Sequence, residues 1–166
     1  PKLGGETIKG SRKCEQQICW ANRYKMMKMH TTLHILSVVI PLPVTGGQIS
    51  PLKGRLDFDM PEAPASKFEI EEELNKIIGG NYSVTEEWIT DKDLMDNPSL
   101  VKTMSVKPPI GNGTVRLIRI SDGNHLLDLQ PCGGTHVKLT SEIGEVGISK
   151  IEKKGRQNRR VSVLLK

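Results

Sequence analysis

The chain has 166 residues, 36% of them hydrophobic and 26% charged, with only two each of Trp, Tyr and Phe and a net charge of +5; this is ordinary globular composition. A chain of this length can bury about 70% of its unfolded surface without disulfide staples, and three scattered cysteines, at 14, 19 and 132, do not form a secreted disulfide framework. A reducing, cytoplasmic setting is therefore expected, and the longest apolar run, residues 35–44 with Ser37, Pro41 and Pro43 inside it, falls well short of the roughly 20 residues of a membrane span.

Charge is distributed unevenly, at +5 over residues 1–60, −7 over 61–100, +1 over 101–149 and +6 over 150–166. Residues 20–40 contain neither Gly nor Pro and place Trp20, Tyr24 and Met27 at helical spacing; Pro41 forbids continuation, so one helix of about five turns is predicted. Its second half, Leu33 to Ile40, is apolar around much of its circumference, as in a helix buried on several sides. Leu56, Phe58 and Met60 alternate with Arg55, Asp57 and Asp59, the period-two pattern of a strand with one buried face. A second helix is signposted by a Ser66/Glu69 capping box, a stripe of Ile70, Leu74, Ile77 and Ile78 with solvent-facing glutamates, and a Gly79-Gly80 stop. Strands follow at 82–90, 115–120, 125–130, 145–151 and 160–165, with a short helix or turn at 91–97. No internal repeat is present, and short Gly-containing turns such as Asp122-Gly123-Asn124 join neighbouring strands. The class predicted is α+β, a largely antiparallel sheet packed with a few helices.

The residues with chemistry are few. His30 and His34 lie four apart on the first predicted helix, so their imidazoles share a face. Taken alone, that spacing also suits a packed, hydrogen-bonded pair. Cys132-Gly133-Gly134-Thr135-His136 sets a thiol and an imidazole four apart across two glycines that permit a tight loop. Together the four side chains form a mixed nitrogen and sulfur donor set whose softness suits Zn²⁺ better than Mg²⁺ or Ca²⁺. Unpaired imidazoles in so apolar a helix would cost on the order of 1–3 kcal/mol each. Thr31 stands where a His-Glu-x-x-His protease needs its general base, and the two pairs lie too far apart for a zinc finger. Cys14 and Cys19 read as packing residues. The cluster Lys150, Lys153, Lys154, Arg156, Arg159 and Arg160 is dense enough to attract a phosphate backbone, or to form a solvated strand-turn-strand.

His30-Thr31-Thr32-Leu33-His34-Ile35-Leu36 together with Cys132-Gly133-Gly134-Thr135-His136 resembles the editing domain of alanyl-tRNA synthetases and their freestanding relatives, the AlaX proteins; the threonyl-tRNA synthetase editing module shares the architecture. Residues 26–29, 54–58, 129–131, 142–144 and 150–155 also look like the freestanding type, so the likeness covers residues 20–166. It implies zinc held by His30, His34, Cys132 and His136, and hydrolysis of the ester joining a wrong amino acid, chiefly serine and in some members glycine, to tRNA for alanine. Thr45 and Gln48 fall where the family contacts the substrate amino acid, or else are turn residues bonded to their own backbone. Thr45 is the expected partner of the serine hydroxyl. Backbone N–H groups of Gly133 and Gly134 are candidate oxyanion donors, and the 150–160 block is the expected tRNA contact.

The resemblance implies that residues 1–19, with Gly4-Gly5-Glu6, are a remnant of the N-terminal barrel of larger relatives. The resemblance implies neither a dinucleotide cofactor nor a membrane partner, and leaves the oligomeric state open. Zinc could activate water or act as an anchor. A noncatalytic zinc-containing tRNA-binding module, an editing-domain fragment of a full-length alanyl-tRNA synthetase, and a hydrolase of another acyl ester or amide are the alternatives.

Overall fold

The computed structural model describes residues 15–62, 64, 66–104, 111 and 113–166. The expectations for the Gly4-Gly5-Glu6 remnant and for Cys14 lie outside the described residues.

Helix α1 (Trp20–Val39) ends one residue before the predicted stop, and every residue from Met29 to Ser37 is buried except His30. Its apolar side chains enter a core with Phe58, Leu74, Ile118 and Val161; burying each such side chain contributes about 1.5–3 kcal/mol. Strand β1 (Val44–Ile49) follows, then β2 (Lys53–Asp59), helix α2 (Lys67–Gly79), β3 (Ser83–Thr90) and α3 (Asp91–Asp96). After these come β4 (Thr114–Ser121), β5 (Leu126–Pro131), a 3-10 turn at Thr140–Ile143, β6 (Val146–Lys153) and β7 (Asn158–Leu165).

The α+β class holds, with two sheets in place of the single expected one: four antiparallel strands in the order β1-β2-β7-β6 and three in the order β3-β4-β5. Helix α1 packs against β1 and β2 of the first sheet and β5 of the second, as well as α2. That position makes α1 the element from which a side chain can reach both sheets. Gly54 on β2 allows the close approach, because a Cβ there would collide with the Met29 side chain.

Strand β1 was not foreseen. Glycine is a poor strand former, yet Gly46 and Gly47 both sit in a ladder opposite Asp57 and Leu56, where pairing across the sheet overrides local propensity. At α2, the Ser66 hydroxyl accepts from the amides of Phe68 and Glu69. The fully reciprocal box occurs instead at α3, between Thr90 and Asp93. The glutamates of α2 are not all solvent-facing either: Glu71 accepts from the Ile148 amide at 2.8 Å and from Lys166, tying α2 to the first sheet. Among the described residues no helix is long and apolar enough to cross a membrane.

Candidate metal centre

His30 and His34 stand one helical turn apart on α1, their ring centroids 5.1 Å apart and edge to face. The Nδ1 of His34 lies 3.1 Å from Oδ2 of Asp128, a residue of β5 only 2% exposed. A carboxylate only accepts, so Nδ1 carries the proton and Nε2 is left facing the centre. Asp128 also accepts from Lys102 Nζ at 2.5 Å and Gln130 Nε2 at 2.7 Å. Burial would push its carboxyl pKa up, but His34 and Lys102 outweigh this and hold it below the usual carboxylate range.

Thr31 serves the other half of the cluster from within the same helix. Its hydroxyl donates to the Met27 carbonyl at 3.0 Å, so toward His136 Nδ1 at 3.1 Å and the Val137 amide at 3.3 Å it accepts. His136 therefore also presents Nε2 inward. Cys132 Sγ lies 3.4 Å from His136 Nε2 and 3.5 Å from His30 Nε2, and the donor atoms of His30, His34, Cys132 and His136 all lie within 4.8 Å of one another. The helix pair and the loop pair, about a hundred residues apart in sequence, thus form one constellation that could hold a metal ion.

Arg116 of β4 fastens the loop. Its Nε donates to the Cys132 carbonyl at 3.0 Å, Nη2 donates to the Gly134 carbonyl, and Nη1 pairs with Glu86. The loop touches the helix so closely that a Cβ on Gly134 would overlap the His30 ring, whereas one on Gly133 would meet nothing. The Gly134 amide points at Cys132 Sγ, 3.4 Å away, so it stabilises the thiolate and is not directed at a substrate. This removes Gly134 from the oxyanion pair suggested by the sequence and leaves Gly133, which lines the adjoining cleft.

Burial would raise the Cys132 thiol pKa, but its hydrogen-bonding contacts with His136, His30 and His34 outweigh this and lower it to about 3. His136 moves down to about 4, because burial and the neighbouring histidines outweigh its bond to the sulfur. His34 moves up: burial disfavours its cation, and the bonds to Asp128 and Cys132 more than offset that. A metal ion needs a thiolate and neutral imidazoles; the lowered values at Cys132 and His136 suit that, whereas at His34 the ion has to compete with the proton.

A cleft of about 530 Å³ opens over His30, His34 and Cys132, with Leu33, Val44 and Leu56 among its apolar walls. Thr45 and Gln48 line it from β1, so neither is a turn residue. The Thr45 hydroxyl bonds to the Asp57 carbonyl at 3.1 Å and Asn158 Oδ1 at 2.9 Å, and the Gln48 carbonyl accepts from Arg55. Lys150, Lys153, Lys154 and Arg156 are exposed around the β6–β7 turn. Two residues of the basic block are turned into the fold instead. Arg159 is buried and donates to the Pro61 carbonyl at 2.6 Å, and Arg160 forms a two-point pair with its cross-strand neighbour Asp57 at 2.7 and 2.9 Å. Cys19 is exposed at the start of α1, so it is not a packing residue.

Asp128, Gln130, Lys102, Arg116 and Thr31 did not emerge from the sequence. A signal existed for two of them, since Asp128 and Gln130 occupy alternate positions of a predicted strand and so share its inward face.

The chain matches the family model described as "Threonyl and Alanyl tRNA synthetase second additional domain" over residues 115–162. It is 31% identical to the alanyl-tRNA editing protein AlaX-M of Methanosarcina barkeri over 169 aligned residues, covering 96% of this chain and 68% of that protein. The chain belongs to the AlaX alanyl-tRNA editing family. The AlaX-M of Methanosarcina mazei is 32% identical over 96% of this chain and 64% of its own length, and the AlaX-L of Pyrococcus horikoshii is 32% identical over 93% and 37%. The chain thus spans a little under two thirds of the M. mazei AlaX-M protein and just over a third of the AlaX-L protein. The similarity to M. barkeri AlaX-M covers nearly the whole chain, including the region that holds both halves of the metal centre.

Proposed function

We propose that this chain is a trans-editing aminoacyl-tRNA deacylase, which hydrolyses the ester between a wrongly attached amino acid, serine and to a lesser extent glycine, and tRNA for alanine. One observation carries the reading: in a chain of the AlaX family, His30, His34, Cys132 and His136 form one cluster, and the first three of them line a cleft of about 530 Å³, roomy enough for an aminoacyl group and the terminal nucleoside. The names of its AlaX relatives support the same substrate class.

Zn²⁺ is the ion the donor set suits. Ligands at ordinary zinc–sulfur and zinc–nitrogen distances in a tetrahedron lie about 3.6 Å apart, and the Cys132 sulfur stands 3.5 and 3.4 Å from the two nearest ring nitrogens. Bound there, zinc would supply Lewis acidity and a fixed positive charge beside the ester. The chain's own residues do the rest. The apolar walls exclude bulk water, the Gly133 amide stands ready to donate to the oxyanion that forms when water adds to the ester carbonyl, and Arg116 and Thr31 hold the loop that carries that amide. Collapse of the adduct breaks the ester C–O bond, releasing the free amino acid and a tRNA ending in a hydroxyl. Thr45 and Gln48 shape the wall against which the amino acid rests. Lys150, Lys153, Lys154 and Arg156 present positive charge to the tRNA backbone, with Arg159 and Arg160 bracing the hairpin beneath them. This role places the chain in the cytoplasm with its tRNA.

The test is release of amino acid from seryl-, glycyl- and alanyl-tRNA for alanine by the zinc-loaded chain. Seryl-tRNA is expected to be cleaved and alanyl-tRNA spared, and Cys132→Ala is expected to reduce seryl cleavage by about a hundredfold or more. A zinc-replete wild type that releases nothing from any of the three overturns the reading, and tight tRNA binding without turnover identifies a noncatalytic module.

A further inference from the structure

The geometry points to Gln130 as the side chain that reads the hydroxyl of the substrate amino acid, an inference that rests on the editing function proposed above. Gln130 lies two residues before Cys132 on the inward face of β5, is only 8% exposed, and lines the cleft.

Its amide orientation is dictated by its neighbours. Nε2 lies 2.7 Å from Asp128 Oδ2, which accepts only, and 3.4 Å from Ser37 Oγ, whose own proton goes to the His34 carbonyl at 2.7 Å. Both amide protons are therefore committed, and the carbonyl oxygen Oε1 must face the other way. No hydrogen bond reaches Oε1 from the described residues, and it is not among the oxygens sealed from solvent. It is an acceptor without a partner on a side chain more than nine-tenths buried.

Thr45, the residue expected from the sequence to meet this hydroxyl, already directs its single hydroxyl proton at Asp57 and Asn158, and the carbonyl of its neighbour on β1, Gln48, accepts from Arg55. An acceptor of this kind discriminates in both directions. Serine brings the O–H that completes the hydrogen bond. Alanine puts a methyl group there and leaves the carbonyl desolvated and unpaired, which a site built for hydrogen bonding rejects strongly. Glycine has no side chain, so a water can remain on Oε1 and the penalty is smaller. The order of preference that follows is serine, then glycine, then alanine.

The experiment measures kcat/KM for seryl-, glycyl- and alanyl-tRNA with wild type and Gln130→Met, which keeps the length of the side chain and removes the acceptor. Zinc content is determined alongside. The seryl-to-alanyl ratio is expected to fall about tenfold or more, with zinc content retained. If Gln130→Met fails to fold, Gln130→Asn keeps the amide but withdraws the acceptor by one methylene, and the same fall is expected. Equal losses on all three esters would mean that Gln130 touches the α-amino group they share, and would overturn the inference, as would an unchanged ratio. An active wild type with either result sinks this inference alone, whereas a wild type inactive on every ester overturns the proposed function together with it.

Discussion

His30 and His34 are held by a regular helix, Cys132 and His136 by a loop with no regular structure, and the two pairs reach the same point by different means. The helix sets the spacing of its pair through backbone geometry alone, and Asp128 orients the ring of His34. The loop has no such scaffold. Its path is fixed bond by bond: Arg116 grips two carbonyls, Thr31 takes the His136 ring and the Val137 amide, and Gly134 lies flat against the His30 ring. A site can therefore draw its precision either from secondary structure or from side chains that replace it, and the second route needs more partners per ligand.

The largest expected effect comes from removing the anchor of the helix pair. Asp128→Ala leaves the Lys102 ammonium and the His34 ring without their acceptor in a buried setting, which should destabilise the fold by about 3 kcal/mol or more in denaturant titrations and weaken zinc binding about 10–100-fold in chelator competition. If zinc affinity is unchanged, the helix alone orients His34 and the contrast between the halves sharpens. Next comes the loop. Gly134→Ala must push the His30 ring aside and should cost about 1–3 kcal/mol along with bound zinc, whereas Gly133→Ala, with open space around the new methyl, should change stability by about 0.5 kcal/mol or less. Equal effects at the two glycines would show that the close approach to His30 is not what the loop depends on.

The smallest effect concerns the tether between the halves, where the Tyr24 hydroxyl of α1 donates to Glu142 at 2.6 Å and Glu142 accepts from the Lys138 and Leu139 amides just beyond the loop. Tyr24 is the main cause that holds the Glu142 carboxyl below its usual pKa; slight burial opposes it and the two amides add to it. A depressed carboxylate contributes stability that is full above its unfolded pKa and lost as pH falls through the folded one. Melting temperature should therefore be flat near neutrality and drop on acidification below about pH 4.3, with a shallower drop in Glu142→Gln. An acid limb identical in the variant would remove Glu142 from this role.

Much of this was legible in advance because it is local. The i, i+4 histidines, the apolar turns after Leu33, the Pro41 stop and the alternation at 55–60 are each written within one element, and the structure reproduces them. The rest depends on partners distant in sequence. Strand β1 exists because β2 pairs with it and not because Gly46-Gly47 favours extended backbone. Arg159 and Arg160 look like their exposed neighbours until the register with β2 places Arg160 opposite Asp57. Asp128, Arg116 and Thr31 gain their roles only when α1, β4 and β5 meet, and no spacing rule along one segment can announce that.

One oxygen, Asp128 Oδ2, accepts hydrogen bonds from both His34 and Gln130. On the proposed editing function, a mutational path toward a different amino acid cannot start at this carboxylate, because any exchange there disturbs His34 and Gln130 at once. Retargeting the cleft can begin instead at Gln130 itself or on β1, at Val44, Thr45 or Gln48, which line the cleft and make no hydrogen bond to an imidazole.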